Sequence, residues 1–148
     1  MQVSEILSLK GSTLFTVTPG KMLSDCVVTM AENDIGSLVV MDHGRMVGML
    51  TFAEVLQALS KGQGQLGDLK VSDIQVNDPL TATTGLDVME LRRVMLERHA
   101  RYVPVIDGPT LLGVVSFHDV AKAVYEEQSF ENRMLKSYIK NWPDADEQ

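Results

Sequence analysis

Apolar and polar positions alternate along the chain with two periods that succeed one another in a fixed order. From Leu23 apolar residues recur at Cys26, Val27 and Met30, the i, i+3, i+4, i+7 spacing that puts one stripe on a helix. The β-rich runs SLVVM and RMVGML follow, parted by DHG, and this combination predicts a hairpin. A second helical pattern opens at Thr51, and a short apolar piece, Leu14 to Val17, precedes the first helix as a predicted strand. The unit reads β-α-β-β-α.

The same order returns at an offset of 65 residues: Leu80 to Ala82, then Val88, Leu91, Arg92 and Met95, then YVPVI and TLLGVV around DGP, then a helix from Ser116. Thr16 aligns with Thr81, Thr18 with Thr83, Gly20 with Gly85, Gly48 with Gly113 and Phe52 with Phe117. Upstream, VSEIL from Val3 matches VSDIQ from Val71 at an offset of 68, so each unit carries the same lead-in. The parallel strand component needs the first helix as its crossover. A unit of about 60 residues buries too little surface to stand alone, which predicts two units packed around a pseudo-twofold axis. The expected fold class is therefore mixed α/β (α+β), with repeats over 3–62 and 68–127 and a helical extension with an acidic tip over 128–148.

Composition narrows the function. The 148 residues are 45% hydrophobic and 22% charged, a globular balance, and no apolar run approaches the roughly 20 residues of a membrane span. A net charge of −7 opposes attraction to a phosphate backbone, so nucleic acid is not an expected partner. The N-terminus has neither the basic nor the unbroken apolar region of a secretory signal, which makes cytoplasmic the expected address. The single cysteine, Cys26, lies on the apolar stripe and reads as packing. His43, His99 and His118 have no cysteine or acid at zinc-site spacing, and no metal site is expected.

The pair IGSLVVMDHGRMVGMLTFAEV and RYVPVIDGPTLLGVVSFHDV, each after an amphipathic helix and each with its VS(E/D)I lead-in, resembles a tandem of cystathionine-β-synthase (CBS) domains, a Bateman module. The resemblance covers about Val3 to Glu127. It implies adenine nucleotides (AMP, ADP, ATP, NAD or S-adenosylmethionine) in clefts between the repeats, a regulatory role without a catalytic cofactor, and assembly into a homodimer.

Two motifs start the second helices, TFAE at Thr51 and SFHD at Ser116. A hydroxyl followed three positions later by an acid reads as a capping box, and Glu54 suits it. Asp119 is one methylene shorter, closes such a box less well, and is expected to leave a carboxylate projecting from the first turn. By resemblance Asp119 accepts hydrogen bonds from both ribose hydroxyls and Ser116 lies near the phosphate.

Countercharge for a phosphate is local to RRVMLERHAR, whereas the matching stretch of the first copy has no cation. Arg101 is the leading phosphate ligand by resemblance, since a guanidinium grips phosphate bidentately. Arg92 is second, because it replaces Val27 on the apolar stripe. The competing reading is a solvated helix face with Glu97 bridging Arg93 and Arg101. By resemblance Thr81, Thr83, Val103 and Pro104 form the adenine wall, although such residues are also ordinary core. The first copy offers Thr51, Glu54, Thr16, Thr18 and Ser37 as a weaker counterpart, lacking the Arg and Asp that some relatives place in that motif.

From Phe117 the helical pattern runs on to Asn141. Phe130 with Met134, Leu135 with Ile139 and Tyr138 with Trp142 recur at i+4, a stripe expected to cover a second subunit or a regulated partner, or else to fold back on its own module. After Pro143 the ending DADEQ reads as a disordered tip. No nucleophile and base pair or glycine-rich phosphate loop stands out, so no catalytic residues are assigned. Two rivals stay open: a ligand-free dimerisation scaffold, and a nucleotide hydrolase using Asp119 and His118.

Overall fold

The structure, a computed structural model, describes residues 1–11 and 13–140. Asn141, Trp142, Pro143 and the acidic ending lie outside the described residues. In the first repeat the order is α1 (Val3–Lys10), β1 (Thr16–Val17), α2 (Leu23–Glu32), β2 (Ser37–Asp42), β3 (Arg45–Thr51) and α3 (Phe52–Lys61). The second has α4 (Val71–Ile74), α5 (Val88–Arg98), β4 (Tyr102–Asp107), β5 (Thr110–Ser116) and α6 (Phe117–Lys140). The mixed α/β architecture is the one expected.

The leading strands differ between the copies. Thr16 and Val17 pair in parallel with Val39 and Val40, whereas Leu80 to Ala82 shrinks to one parallel bridge between Ala82 and Val105. Proline explains the loss. In the first copy the Val39 N–H donates to the Phe15 carbonyl at 3.2 Å; the equivalent bond to Leu80 would need an N–H on Pro104, which has none.

Both hairpins carry a register shift at the same place, between Val40 and Met41 and between Val105 and Ile106. Their turns differ. His43 and Gly44 both take positive φ, 52° and 78°, as a type I′ turn requires, whereas in the second turn Gly108 alone does so, at 56°, followed by Pro109.

Each repeat completes its core with the lead-in of the other. Val3 N–H donates to the Leu86 carbonyl at 2.9 Å, Ser4 N–H to Thr84 at 3.0 Å, and Val88 N–H to Met1 at 2.9 Å. Val3 and Ile6 are buried among Val88, Leu91, Val103 and Val115 of the second repeat. Conversely, Val71 joins Leu23, Leu38 and Leu50 of the first, and its N–H donates to the Lys21 carbonyl at 2.9 Å.

Glycines make room for the exchange. A β-carbon at Gly113 would come within 2.7 Å of Leu7, and one at Gly48 within 2.6 Å of the Val76 carbonyl. Each buried lead-in valine contributes about 1.5–3 kcal/mol by leaving water. The two cores are otherwise separate, and the repeats meet where β3 and β5 approach one another.

Helix α6 has 24 residues against 10 in its counterpart α3. Its last buried residues are Ala123 and Val124. All residues of 131–140 are exposed, so the helix does not fold back on its module. Phe130, Met134, Leu135 and Ile139 are each more than half exposed. No helix among the described residues is long and apolar enough to cross a membrane.

Candidate functional site

The strand-to-helix junctions at Thr51 and Ser116 organise the site. Thr51 N–H donates to Glu54 Oε1 at 2.8 Å, and the Thr51 hydroxyl accepts from the Ala53 N–H at 3.3 Å. The hydroxyl also donates to the Glu54 carboxylate at 3.0 Å. Here the capping box is as the sequence predicts.

At the second junction the expectation of a poorly closed box is corrected. Ser116 N–H donates to Asp119 Oδ2 at 2.8 Å, and Asp119 N–H donates to Ser116 Oγ at 3.0 Å. The shorter side chain suffices because the carboxylate only has to span one turn back to the cap N–H. The Asp119 carboxylate is not simply projecting either. Lys10 Nζ donates to the same Oδ2 at 2.7 Å and to the Val114 carbonyl at 2.7 Å. Burial pushes the Asp119 carboxyl up, but the hydrogen bonds from Lys10 and Ser116 and the Lys10 charge outweigh it and hold the group below its ordinary value.

Two clefts flank these junctions. The first, of about 550 Å³, is bounded by Ser116, Phe117 and His118, by Lys10 and Thr13 to Phe15, and by Ser37, Arg101 and Tyr102. The second, of about 410 Å³, takes Thr51 to Glu54 with Pro79, Leu80 and Arg98 to Tyr102. Each cleft therefore draws its helix start from one repeat and its opposite wall from the other. Ser37, grouped by sequence with Thr51, sits instead with Ser116, and Arg101 reaches Thr51's cleft as well as its own.

Arg101 and Tyr102 line both clefts. The Arg101 guanidinium lies 5.0 Å from the Phe52 ring centroid, a cation–π distance. Tyr102 meets the same ring edge-on, with centroids 6.2 Å apart and planes at 86°. Burial pushes the Tyr102 hydroxyl's pKa up, with Asp119 adding to the rise and Arg101 opposing it. The expected Glu97 bridge from Arg93 to Arg101 is not formed. Glu97 pairs with Arg93 at 2.7 Å, and Glu90 pairs with the same guanidinium, on an exposed helix face. Arg101 stands across the strand entry and has no carboxylate partner among the described residues.

Other predicted site residues lie elsewhere. Val103 is a core residue and Pro104 is buried, so neither forms a cleft wall; the inward face of a strand at 0% exposure has no side facing a ligand. Thr81, Thr83, Thr16 and Thr18 line neither cleft, and Arg92 is half-buried on α5 away from both. Asp119 opens on a neighbouring cleft of about 370 Å³, shared with Lys10 and Lys122. Lys10, Phe52 and Tyr102 were missed as site residues. For Lys10 a signal existed, since it begins the KGST stretch by which the first copy is longer. Among the described residues no group of three or more His, Cys, Asp or Glu could hold a metal ion.

Two interlocked β-α-β-β-α repeats with a hydroxyl-and-acid junction beside each inter-repeat cleft define a CBS domain pair. The model of the CBS domain family matches residues 3–61 and 71–126, and the chain belongs to that family. It is 27% identical over 146 residues to the mitochondrial CBS domain-containing protein CBSX3 of Arabidopsis thaliana, covering 93% of this chain and 71% of that one. The CBS-domain protein ATU1752 from Agrobacterium tumefaciens superposes with a TM-score of 0.78 at 28% identity, over 83% of this chain and 98% of that one. The CBS domain pair of protein MJ0100, crystallised with 5′-methylthioadenosine and S-adenosyl-L-methionine, superposes with a TM-score of 0.76 at 20% identity, over 86% of this chain and 98% of that one.

Proposed function

We propose that this CBS pair is a cytoplasmic, non-catalytic regulatory module that binds an adenine nucleotide in the first cleft, with Ser116 and Arg101 toward the phosphate and the ribose reaching Asp119 in the adjoining cleft that shares Lys10. The observation that carries the reading is Arg101: an arginine without a carboxylate partner among the described residues, lining two clefts in a chain of net charge −7. A guanidinium left in that position is a ready phosphate ligand. The neighbour solved with adenosyl ligands supports an adenosine-containing ligand class, and AMP, ADP, ATP and NAD fit the same chemistry. A hydrolase with Asp119 as base is disfavoured by geometry, since the carboxylate is already held by Lys10 and Ser116.

The test is a thermal-shift screen of the purified protein against AMP, ADP, ATP, NAD, NADH and S-adenosylmethionine, repeated on Asp119→Ala. Ligand at about 100 times its Kd adds about 2.7 kcal/mol, which raises the midpoint by about 5–10 °C at this chain length. A shift erased by the substitution supports the sensor; no shift with any ligand sinks it.

A second reading, a dimerisation scaffold, is favoured by α6, whose exposed Phe130, Met134, Leu135 and Ile139 need cover. We assign that cover to a second copy of the chain. The two readings are compatible, since a homodimer can carry ligand-binding clefts; only the scaffold survives if no nucleotide binds.

A further inference from the structure

We infer that Lys10 makes the first cleft selective for phosphate-bearing adenine ligands over neutral nucleosides and cationic adenosyl compounds. The inference rests on the reading of that cleft as an adenine-ligand site and names which members of the class it admits.

Lys10 is the last residue of α1. Its backbone is anchored, because Val3 and Ile6 of the same helix are buried in the second repeat, and Gly11 at φ 91° turns the chain away immediately afterwards. From this fixed base the side chain reaches across 109 residues of sequence to Asp119 Oδ2 and also bonds the Val114 carbonyl, both at 2.7 Å. Lys10 lines the first cleft on one side and the cleft holding Asp119 on the other. Lys10 is thus shared by the cleft assigned to the ligand and the cleft that holds the carboxylate assigned to the ribose.

A ribose that sets its two vicinal hydroxyls on the two oxygens of the Asp119 carboxylate competes with that ammonium for Oδ2, which Lys10 and the Ser116 N–H already hold. The Asp119 side chain is 20% exposed and the Lys10 side chain 38%, so the displaced charge is only partly returned to water and needs a new anion nearby. A phosphate supplies one, within the sweep of a flexible four-carbon stem. A neutral nucleoside supplies none, and a sulfonium ligand adds a second positive charge to a cleft already lined by Arg101. Among the described residues no lysine lines the second cleft; its cations, Arg98 and Arg101, form no ion pair with Glu54, whose carboxylate is bonded within its own capping box, so this selection belongs to the first cleft.

The experiment is calorimetric titration of the whole chain and of Lys10→Met and Lys10→Arg with AMP, ATP, adenosine and S-adenosylmethionine at one ionic strength. Thermal midpoints checked in parallel show that the variants are folded. The unaltered chain is expected to bind AMP at least about tenfold more tightly than adenosine. Lys10→Met lowers that ratio about tenfold and strengthens adenosine binding in absolute terms, because the competitor for Asp119 is gone. Lys10→Arg preserves the preference. A ratio unchanged in Lys10→Met overturns the role of Lys10 while leaving the nucleotide site standing. Failure of all three proteins to bind any of the four ligands overturns both.

Discussion

The hydroxyl of Tyr102 occupies the space that a β-carbon on Gly36 would need. Gly36 lies one residue before β2 and Tyr102 opens β4, so the two repeats touch here, where both residues line the first cleft. Gly36→Ala is expected to destabilise the fold by about 1–3 kcal/mol, the usual cost of overpacking. Adding Tyr102→Phe should return part of it, since the ring carbon would still lie at 2.7 Å. Urea unfolding of the single and double variants measures both; an unaffected single variant would show that the Tyr102 ring can swing aside.

The Asp119 carboxyl, held below its ordinary value of 3.8, stabilises the fold above that value and loses its effect as pH falls through the folded value. Asp119→Asn should therefore be less stable at pH 7 by about 1–2 kcal/mol, from the weakened cap and lost Lys10 contact. The gap should close as pH is lowered from about 4 toward 2. Unfolding curves across that range decide it, and a gap constant down to pH 2 would remove Asp119 as its source.

Arg101 and Arg93 make a matched pair of tests. Arg101→Ala should weaken nucleotide binding by about 10–100-fold, the worth of a charge-assisted contact. Arg93→Ala, on an exposed face with Glu90 and Glu97, should leave it unchanged. Equal losses in titration would mean that the whole basic cluster acts only through its field.

Removing residues 1–10 should expose the second repeat rather than the first. Hydrogen exchange is expected to speed up along α5 and β5, which lose Val3, Ile6 and Leu7, while α2 and β2 keep their protection. Faster exchange confined to the first repeat would contradict the exchanged packing.

Truncation after Gln128 removes most of the exposed stripe of α6 but none of its buried residues. The shortened chain should stay folded and elute as a monomer in size-exclusion chromatography with light scattering. A dimer that survives truncation would place the contact elsewhere.

Much of this fold was legible because the duplication shows every element twice. The hairpins, the crossover helices and the Thr51 capping box follow from local periodicity and turn chemistry. The assembly of the clefts was not legible. Alignment groups residues by copy, whereas the pseudo-twofold groups Ser37 with Ser116 and Arg101 with Thr51. From sequence alone Val103 fits a cleft wall as well as a core position, because apolar strand residues look alike from either side of a sheet. The KGST insertion marks Lys10 as a place where the copies differ, but no local pattern announces its partner 109 residues away.

The crossed lead-ins also bear on how the chain is made. A ribosome that has delivered residues 1–61 has produced a repeat whose core still lacks Val71, and a first helix whose binding surface around Val88 and Val115 is not yet synthesised. At about 5–20 residues per second, α1 waits on the order of 10 s for its seat to emerge. Neither half can close early, so the two repeats are expected to fold as one cooperative event once the second has emerged.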